Sequence, residues 1–218
     1  MASADITTHV LLIAGSYFLG SIPVGLWIVK ATKGVDVRQH GSGNIGATNV
    51  FRVAGPVIGT ISFLLDVVKG LVPPLVAASL GLNAWWQVGS GLASMVGHSA
   101  SPFLRFKGGK GIATALGILF GLSWKVAVSA WALWAIAFFA TGYVSIGSIL
   151  AAISVAPFTV LFYPNDSARL SFGLVAGALA LWKHRANMQR LRAGTESKML
   201  YKKRPIAVEP APTSEQSE

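Results

Sequence analysis

Three stretches of this sequence concentrate the groups that could bind and transfer an anionic substrate. The first runs Gly41-Ser42-Gly43-Asn44-Ile45-Gly46-Ala47-Thr48-Asn49-Val50-Phe51-Arg52. Its glycines leave the backbone free to curl, and the N–H groups of such a curl make an anion-binding concavity. Ser42, Asn44, Thr48 and Asn49 add neutral hydrogen-bonding groups. Arg52 adds a planar fork suited to phosphate. The same composition also suits a flexible interhelical loop. The second stretch, Lys107-Gly108-Gly109-Lys110-Gly111, leads into an apolar helix. Backbone N–H groups, a partly positive helix N-terminus and the Lys110 point charge together suit a phosphate. It is not a Walker A motif, because Gly111 stands where that motif has Ser or Thr. A basic interfacial turn has the same composition. In the third stretch, from Trp182 to Glu196, His184 and Asn187 share a helix face at i, i+3, and Arg190 continues it. Glu196 is read as the ion-pair partner of a nearby arginine rather than as an acid or base.

Two further pairs have the same spacing. Ser145 and Ser148 follow Tyr143, and on spacing alone they read as packing serines of a membrane helix. Asp66 and Lys69 fall inside an apolar segment, where an unpaired charge costs about 2.5–3.5 kcal/mol, so they must pair or line a polar cavity. The sequence has no paired catalytic carboxylates, no metal-ligand cluster and no Gly-x-Ser-x-Gly elbow. Cationic and hydrogen-bonding groups are left to do the chemistry. That favours transfer of an already activated group, and no metal or other cofactor is expected.

The elements that must position these groups lie in a membrane. Hydrophobic residues make up 53% of the 218, only 12% are charged, and mean hydropathy is +0.58. A soluble domain carries about 25% charged residues. Apolar runs near twenty residues long point to helices rather than a barrel. Without cysteine there is no disulfide, thiolate catalysis or Cys-ligated metal. The net charge of +10 is not read as a nucleic-acid signal, since basic loops and anionic substrates account for it.

The hydropathy predicts helices over residues 6–29, 55–80 and 84–97, then one from the second stretch to about Leu122. Others follow over 126–141, 144–163 and 168–183. The helix ending at Leu122 is too short to cross, so the second stretch is expected to be recessed. The segment before residue 6 lacks the basic start of a signal peptide, and none is expected. The expected fold is all-α: a polytopic membrane protein of about seven transmembrane helices, N-terminus outside and C-terminus cytoplasmic. All three stretches then share one face with most of the basic residues, which the positive-inside rule makes cytoplasmic. Residues 1–204 read as a single membrane-embedded domain. Residues 205–218, rich in Pro, Glu and Ser, read as a disordered tail.

In order and in content, the three stretches resemble the bacterial acyl-phosphate:glycerol-3-phosphate acyltransferase family of the inner membrane. Further matching residues are Gly20-Ser21-Ile22-Pro23, Leu65-Asp66 with Lys69-Gly70, Gly97-His98, and Tyr143-Val144-Ser145. The resemblance implies seven membrane helices and an active site at the cytoplasmic side. It implies acyl transfer from acyl-phosphate to the 1-hydroxyl of glycerol 3-phosphate, giving lysophosphatidic acid for phospholipid synthesis. It further implies active-site roles for Ser42, Arg52, Lys110, Ser148, His184 and Asn187. Asn44, Thr48, Asn49, Lys107, Gly108, Gly109, Lys110 and Gly111 become phosphate-binding candidates, and Glu196 a structural support. The His-x4-Asp pattern of the soluble-headed glycerolipid acyltransferases is absent, which argues against acyl-CoA or acyl-carrier protein as donor. The expected partners are the two substrates and the bilayer, with no nucleic acid and no obligate protein partner.

Two other functions use similar groups. A transporter of phosphate esters or other anions would use the same basic, glycine-rich loops, but no convincing repeat relates the two halves. A phosphatidyl-alcohol transferase would need several metal-binding aspartates, and the basic face has too few acidic residues.

Overall fold

A computed structural model describes residues 5–199; the tail expected over 205–218 lies outside the described residues. The fold is all-α. Helix α1 (Ile6–Ser21) is capped by Asp5, which accepts a hydrogen bond from the Thr8 amide at 2.8 Å. It breaks at Ile22-Pro23, where proline disfavours helical geometry in the residue before it. The chain resumes as α2 (Val24–Lys33), which ends on Gly34 in the left-handed region. A short helix, α3 (Ala47–Ala54), follows the first polar stretch. Then come α4 (Pro56–Ser79), with proline at its first turn, and α5 (Ala84–Ser99), capped by Asn83. After the second stretch come α6 (Ile112–Leu122), α7 (Trp124–Thr141), α8 (Val144–Phe162) and α9 (Ser167–Lys183). The last helix, α10 (Arg185–Arg192), carries the third stretch.

The expectation of about seven transmembrane helices is corrected. Among the described residues, four runs are long and apolar enough to cross: Ile6–Lys33, Pro56–Ser79, Trp124–Thr141 and Val144–Phe162. Helices α5, α6 and α9 have 16, 11 and 17 residues. At 1.5 Å per residue they reach about 17–26 Å, short of a ~30 Å hydrocarbon core. The odd number of crossings from which an external N-terminus and a cytoplasmic C-terminus follow is therefore not found, and both chain ends lie outside the described residues.

The packing turns a soluble protein inside out. Large apolar side chains such as Leu11, Phe18, Leu64, Val68, Val72 and Phe139 face outward. Ser62, Asp66, Lys69, Ser94, His98, Thr114, Ser148 and His184 are buried among the helices. With lipid as the outer solvent, polar groups find partners only inside the bundle. Helices α4 and α6 lie backbone to backbone: a Cβ on Gly70 or Gly117 would collide with the carbonyls of Thr114 and Val67. That contact fixes α6, and with it the second polar stretch at its start.

Candidate active site

The first stretch is organised by one side chain. Asn49, only 1% exposed, lies in the first turn of α3. Its amide nitrogen is 3.0, 3.0 and 2.9 Å from the carbonyl oxygens of Val37, His40 and Asn44. Its amide oxygen accepts from the Ser42 N–H at 2.8 Å. Asn44 Oδ1 accepts from the Gly46 N–H at 2.8 Å, just ahead of the helix. The side chains of Asn44 and Asn49, expected to bind phosphate, are therefore engaged in shaping the loop. Gly41 and Gly43 supply the positive φ angles of 62° and 70° that the loop needs. Thr48 and Arg52, one helical turn apart, share a face and line the cavity with Ser42. Arg52 Nη2 donates to the Ser197 carbonyl at 3.3 Å, while its buried Nε has no partner among the described residues.

The second stretch is tied to the end of α5. The Gly108 N–H donates to the Ser99 carbonyl at 3.2 Å and the Gly109 N–H to the His98 carbonyl at 3.1 Å. Lys183 Nζ also donates to the Ser99 carbonyl, at 2.8 Å. A Cβ on Gly109 would collide with the His98 ring. Gly108 and Gly109 are therefore small so that the loop can pack on α5, and their amides are not directed at a ligand. Lys107 is exposed and Gly108 and Gly109 do not line the cavity, whereas Lys110, Gly111 and the first turn of α6 do. Gly111, with φ 78°, makes the turn into that helix.

The third stretch meets the second directly. Lys110 Nζ donates to Asn187 Oδ1 at 2.6 Å, and Asn187 Nδ2 donates to Glu196 Oε1 at 2.6 Å. The other Glu196 oxygen accepts from Arg190 Nε at 2.7 Å. Glu196 is thus the ion-pair partner of an arginine, as expected. Its burial works against the charge, yet the bonds from Asn187 and Arg190 hold the carboxyl below the usual range. Burial pushes the Lys110 ammonium down to about 8; Glu196 opposes this, and Arg190 and Arg52 add to it. His184 ends α9, with Nδ1 2.8 Å from the Ala180 carbonyl. A carbonyl only accepts, so Nδ1 carries a proton and Nε2 is left for a ligand.

Ser42, Arg52, Lys110, Ser148, His184 and Asn187 all line one cavity of about 910 Å³. Ser148, a packing residue on spacing alone, faces it and accepts from Trp134 Nε1 at 3.3 Å. Sequence reasoning missed the apolar half of this cavity, walled by Trp131, Trp134, Val155, Phe172 and Ala176. The run of small residues Gly173, Ala176, Gly177 and Ala180 along α9 was the available signal. Asp66 and His98 also reach the cavity. Asp66 pairs with Lys69 at 2.8 Å and lies 3.7 Å from His98 Nδ1.

Residues 10–194 match the family model described as glycerol-3-phosphate acyltransferase. The chain belongs to the glycerol-3-phosphate acyltransferase family. The acyltransferase is 45% identical over 191 residues to the glycerol-3-phosphate acyltransferase of Geotalea daltonii, covering 88% of this chain and 97% of that one. It is 46% identical over 190 residues to that of Geobacter metallireducens, covering 87% and 97%. It is also similar to a crystal structure of PlsY, an integral membrane glycerol 3-phosphate acyltransferase, in its glycerol 3-phosphate form. The TM-score is 0.84 and the identity 42%, over 89% of this chain and 100% of that one. For the lysophosphatidic acid form the TM-score is 0.81 and the identity 44%, over 88% and 95%. The acyltransferase is thus a multi-pass membrane enzyme whose transferred group ends on glycerol 3-phosphate.

Proposed function

We propose that the enzyme transfers a fatty acyl group from acyl-phosphate to the 1-hydroxyl of sn-glycerol 3-phosphate, and that this proceeds directly, without an acyl-enzyme. One observation carries the reading: a single cavity joins a cationic end, with Arg52, Lys110 and Arg190, to an apolar end long enough for a lipid chain. Both substrates are phosphate esters or anhydrides, and the donor also carries a hydrocarbon tail. Arg52 and Lys110 hold phosphate by charge-assisted hydrogen bonds. Asn187 fixes Lys110 from behind. Ser42 and Thr48 offer hydroxyls to the glycerol, and Ser148 and His184 Nε2 orient the donor carbonyl. Residues 5–199, the described part of the domain expected over 1–204, act as one membrane-embedded unit.

The 1-hydroxyl oxygen attacks the acyl carbon, and the bond from that carbon to the donor's bridging oxygen breaks. A phosphate oxygen of the donor accepts the hydroxyl proton. The products are lysophosphatidic acid and inorganic phosphate. Support for direct attack comes from the serines: among the described residues, no serine hydroxyl is hydrogen-bonded to His184, as an activated nucleophile requires. The donor needs no such activation, because phosphate is already a good leaving group.

The reaction is proposed to take place at the cytoplasmic face of the bacterial inner membrane. Supporting this, Arg52, Lys107, Lys110, Lys183, Arg185 and Arg190 cluster in the three polar stretches around the cationic end. The test offers detergent-purified enzyme palmitoyl-phosphate or palmitoyl-CoA with labelled glycerol 3-phosphate. Labelled lysophosphatidic acid should form from palmitoyl-phosphate alone. Product from palmitoyl-CoA alone would overturn the donor assignment. Incubation with labelled acyl-phosphate alone should leave the protein unlabelled. A stable adduct on Ser42 or Ser148, discharged by glycerol 3-phosphate at a competent rate, would overturn direct transfer.

A further inference from the structure

The apolar half of the cavity has a definite end. Four helices wall it, and the last lining residue of each, Leu119 of α6, Ala130 of α7, Val155 of α8 and Phe172 of α9, belongs to one buried cluster. The next turn of α6, α7 and α9 contributes Leu122, Val126, Ala127 and Ala168, which pack with Phe172 in that same cluster. Phe172 is the largest side chain of that layer and is 1% exposed. From His184, at the cationic end, α9 runs back through Ala180, Gly177 and Ala176 to Phe172, and all five residues line the cavity. The small residues leave room along the helix, and the phenyl ring closes it.

We propose that Phe172 is the floor of an acyl-chain channel and sets the length of fatty chain that the enzyme accepts. This rests on the reading that the donor's carbonyl lies beside His184 and Ser148. Phe172 is twelve residues from His184, about 18 Å along a helix. An extended saturated chain advances about 1.2 Å per bond, as an extended polypeptide does over its three bonds per residue. The channel therefore takes a chain of about 14–16 carbons. Longer chains must bend or leave carbons outside, and shorter ones leave apolar wall uncovered.

The test uses the full-length enzyme in detergent with a mixture of saturated acyl-phosphates of 10 to 20 carbons and labelled glycerol 3-phosphate. The lysophosphatidic acids formed are resolved by mass. The native enzyme should prefer 14–16 carbons. Phe172→Ala, or the milder Phe172→Leu, should move the preference towards 18 carbons or more. Ala176→Phe raises the floor by one helical turn and should move it down by about four to five carbons. An active Ala176→Phe variant with the native length profile would overturn the assignment, as would an active Phe172 variant with that profile. The donor reading fails separately: if only acyl-CoA is used, the same profiles are read with acyl-CoA, and an unshifted preference there overturns the floor whatever the donor.

Discussion

Lys110 and Asn187 lie 77 residues apart in the sequence, and the lysine ammonium donates to the asparagine oxygen at 2.6 Å. Through Asn187 the contact continues to Glu196 and Arg190, so the second and third polar stretches form one hydrogen-bonded unit. Lys110 can meet a phosphate only in the orientation that Asn187 sets.

That unit predicts coupled losses. Lys110→Ala removes a charge-assisted bond to phosphate worth roughly 1.5–3 kcal/mol, so kcat/KM for glycerol 3-phosphate should fall about 10–150-fold. Asn187→Ala should fall within the same range. Because the residues touch, the double variant should lose much less than the product of the two single effects. Multiplicative losses in a double-mutant cycle would show that Asn187 acts on the substrate separately.

The pH dependence follows from the same lysine. Burial holds the Lys110 ammonium at about 8, so it is charged below that pH and neutral above it. Phosphate binding requires the charged form. kcat/KM for glycerol 3-phosphate should therefore fall as pH rises through about 8 in the free enzyme. Lys110→Arg stays charged throughout and should lose this alkaline limb, whatever its residual rate. An unchanged limb in that variant would assign the titration to another group.

Asn49 is predicted to matter for the loop, not for direct contact with substrate. Asn49→Ala removes the side-chain donor that the carbonyls of Val37, His40 and Asn44 share; the first two keep the His40 and Gly43 N–H groups, and a carbonyl left buried and unpaired costs about 1–3 kcal/mol. Its unfolding temperature in detergent should drop along with its activity. Asn49→Asp keeps the shape but turns a carboxylate towards the same carbonyls, and should be no better than alanine. A raised KM with unchanged thermal unfolding would instead put Asn49 on the substrate.

Asp66 and Lys69 form a buried ion pair, each side chain less than 5% exposed. Removing one partner strands the other, at about 3–5 kcal/mol. Asp66→Leu and Lys69→Leu should each lower the unfolding temperature sharply. The double variant should be more stable than either, since a hydrophobic pair of similar size replaces both charges. Additive destabilisation would show that each charge has independent partners, such as the Ile22 carbonyl that accepts from Lys69 at 3.0 Å.

If a donor phosphate oxygen takes the proton, His184 orients rather than abstracts. His184→Gln retains a side chain that can hydrogen-bond in the cavity. It should keep measurable turnover, with an acidic limb no different from that of the native enzyme. Complete loss of turnover in folded protein would make the histidine an essential base.

Local chemistry can be read directly from the order of residues. Glycines with positive φ, caps such as Asn83, prolines at helix starts and apolar runs act within a few residues, so helices over 56–79 and 144–162 fall where hydropathy put them. Arg52, Lys110, His184 and Asn187 line one cavity, and in the sequence it was the family resemblance that grouped them as one site. Tertiary structure alone decided the rest. The roles of Asn49, Gly108 and Gly109 depend on which carbonyls the folded chain brings to them. The predicted ends of α5, α6 and α9 lie within two residues of the observed ones, so the miscount came from counting as spans helices shorter than a ~30 Å hydrocarbon core. The apolar end of the cavity was hidden for a further reason. In a membrane, residues facing lipid and residues facing an acyl channel are both apolar, so periodicity loses the contrast that marks an inner face in water. Phe172 and Phe139 are the same residue type, and only packing buries one and exposes the other.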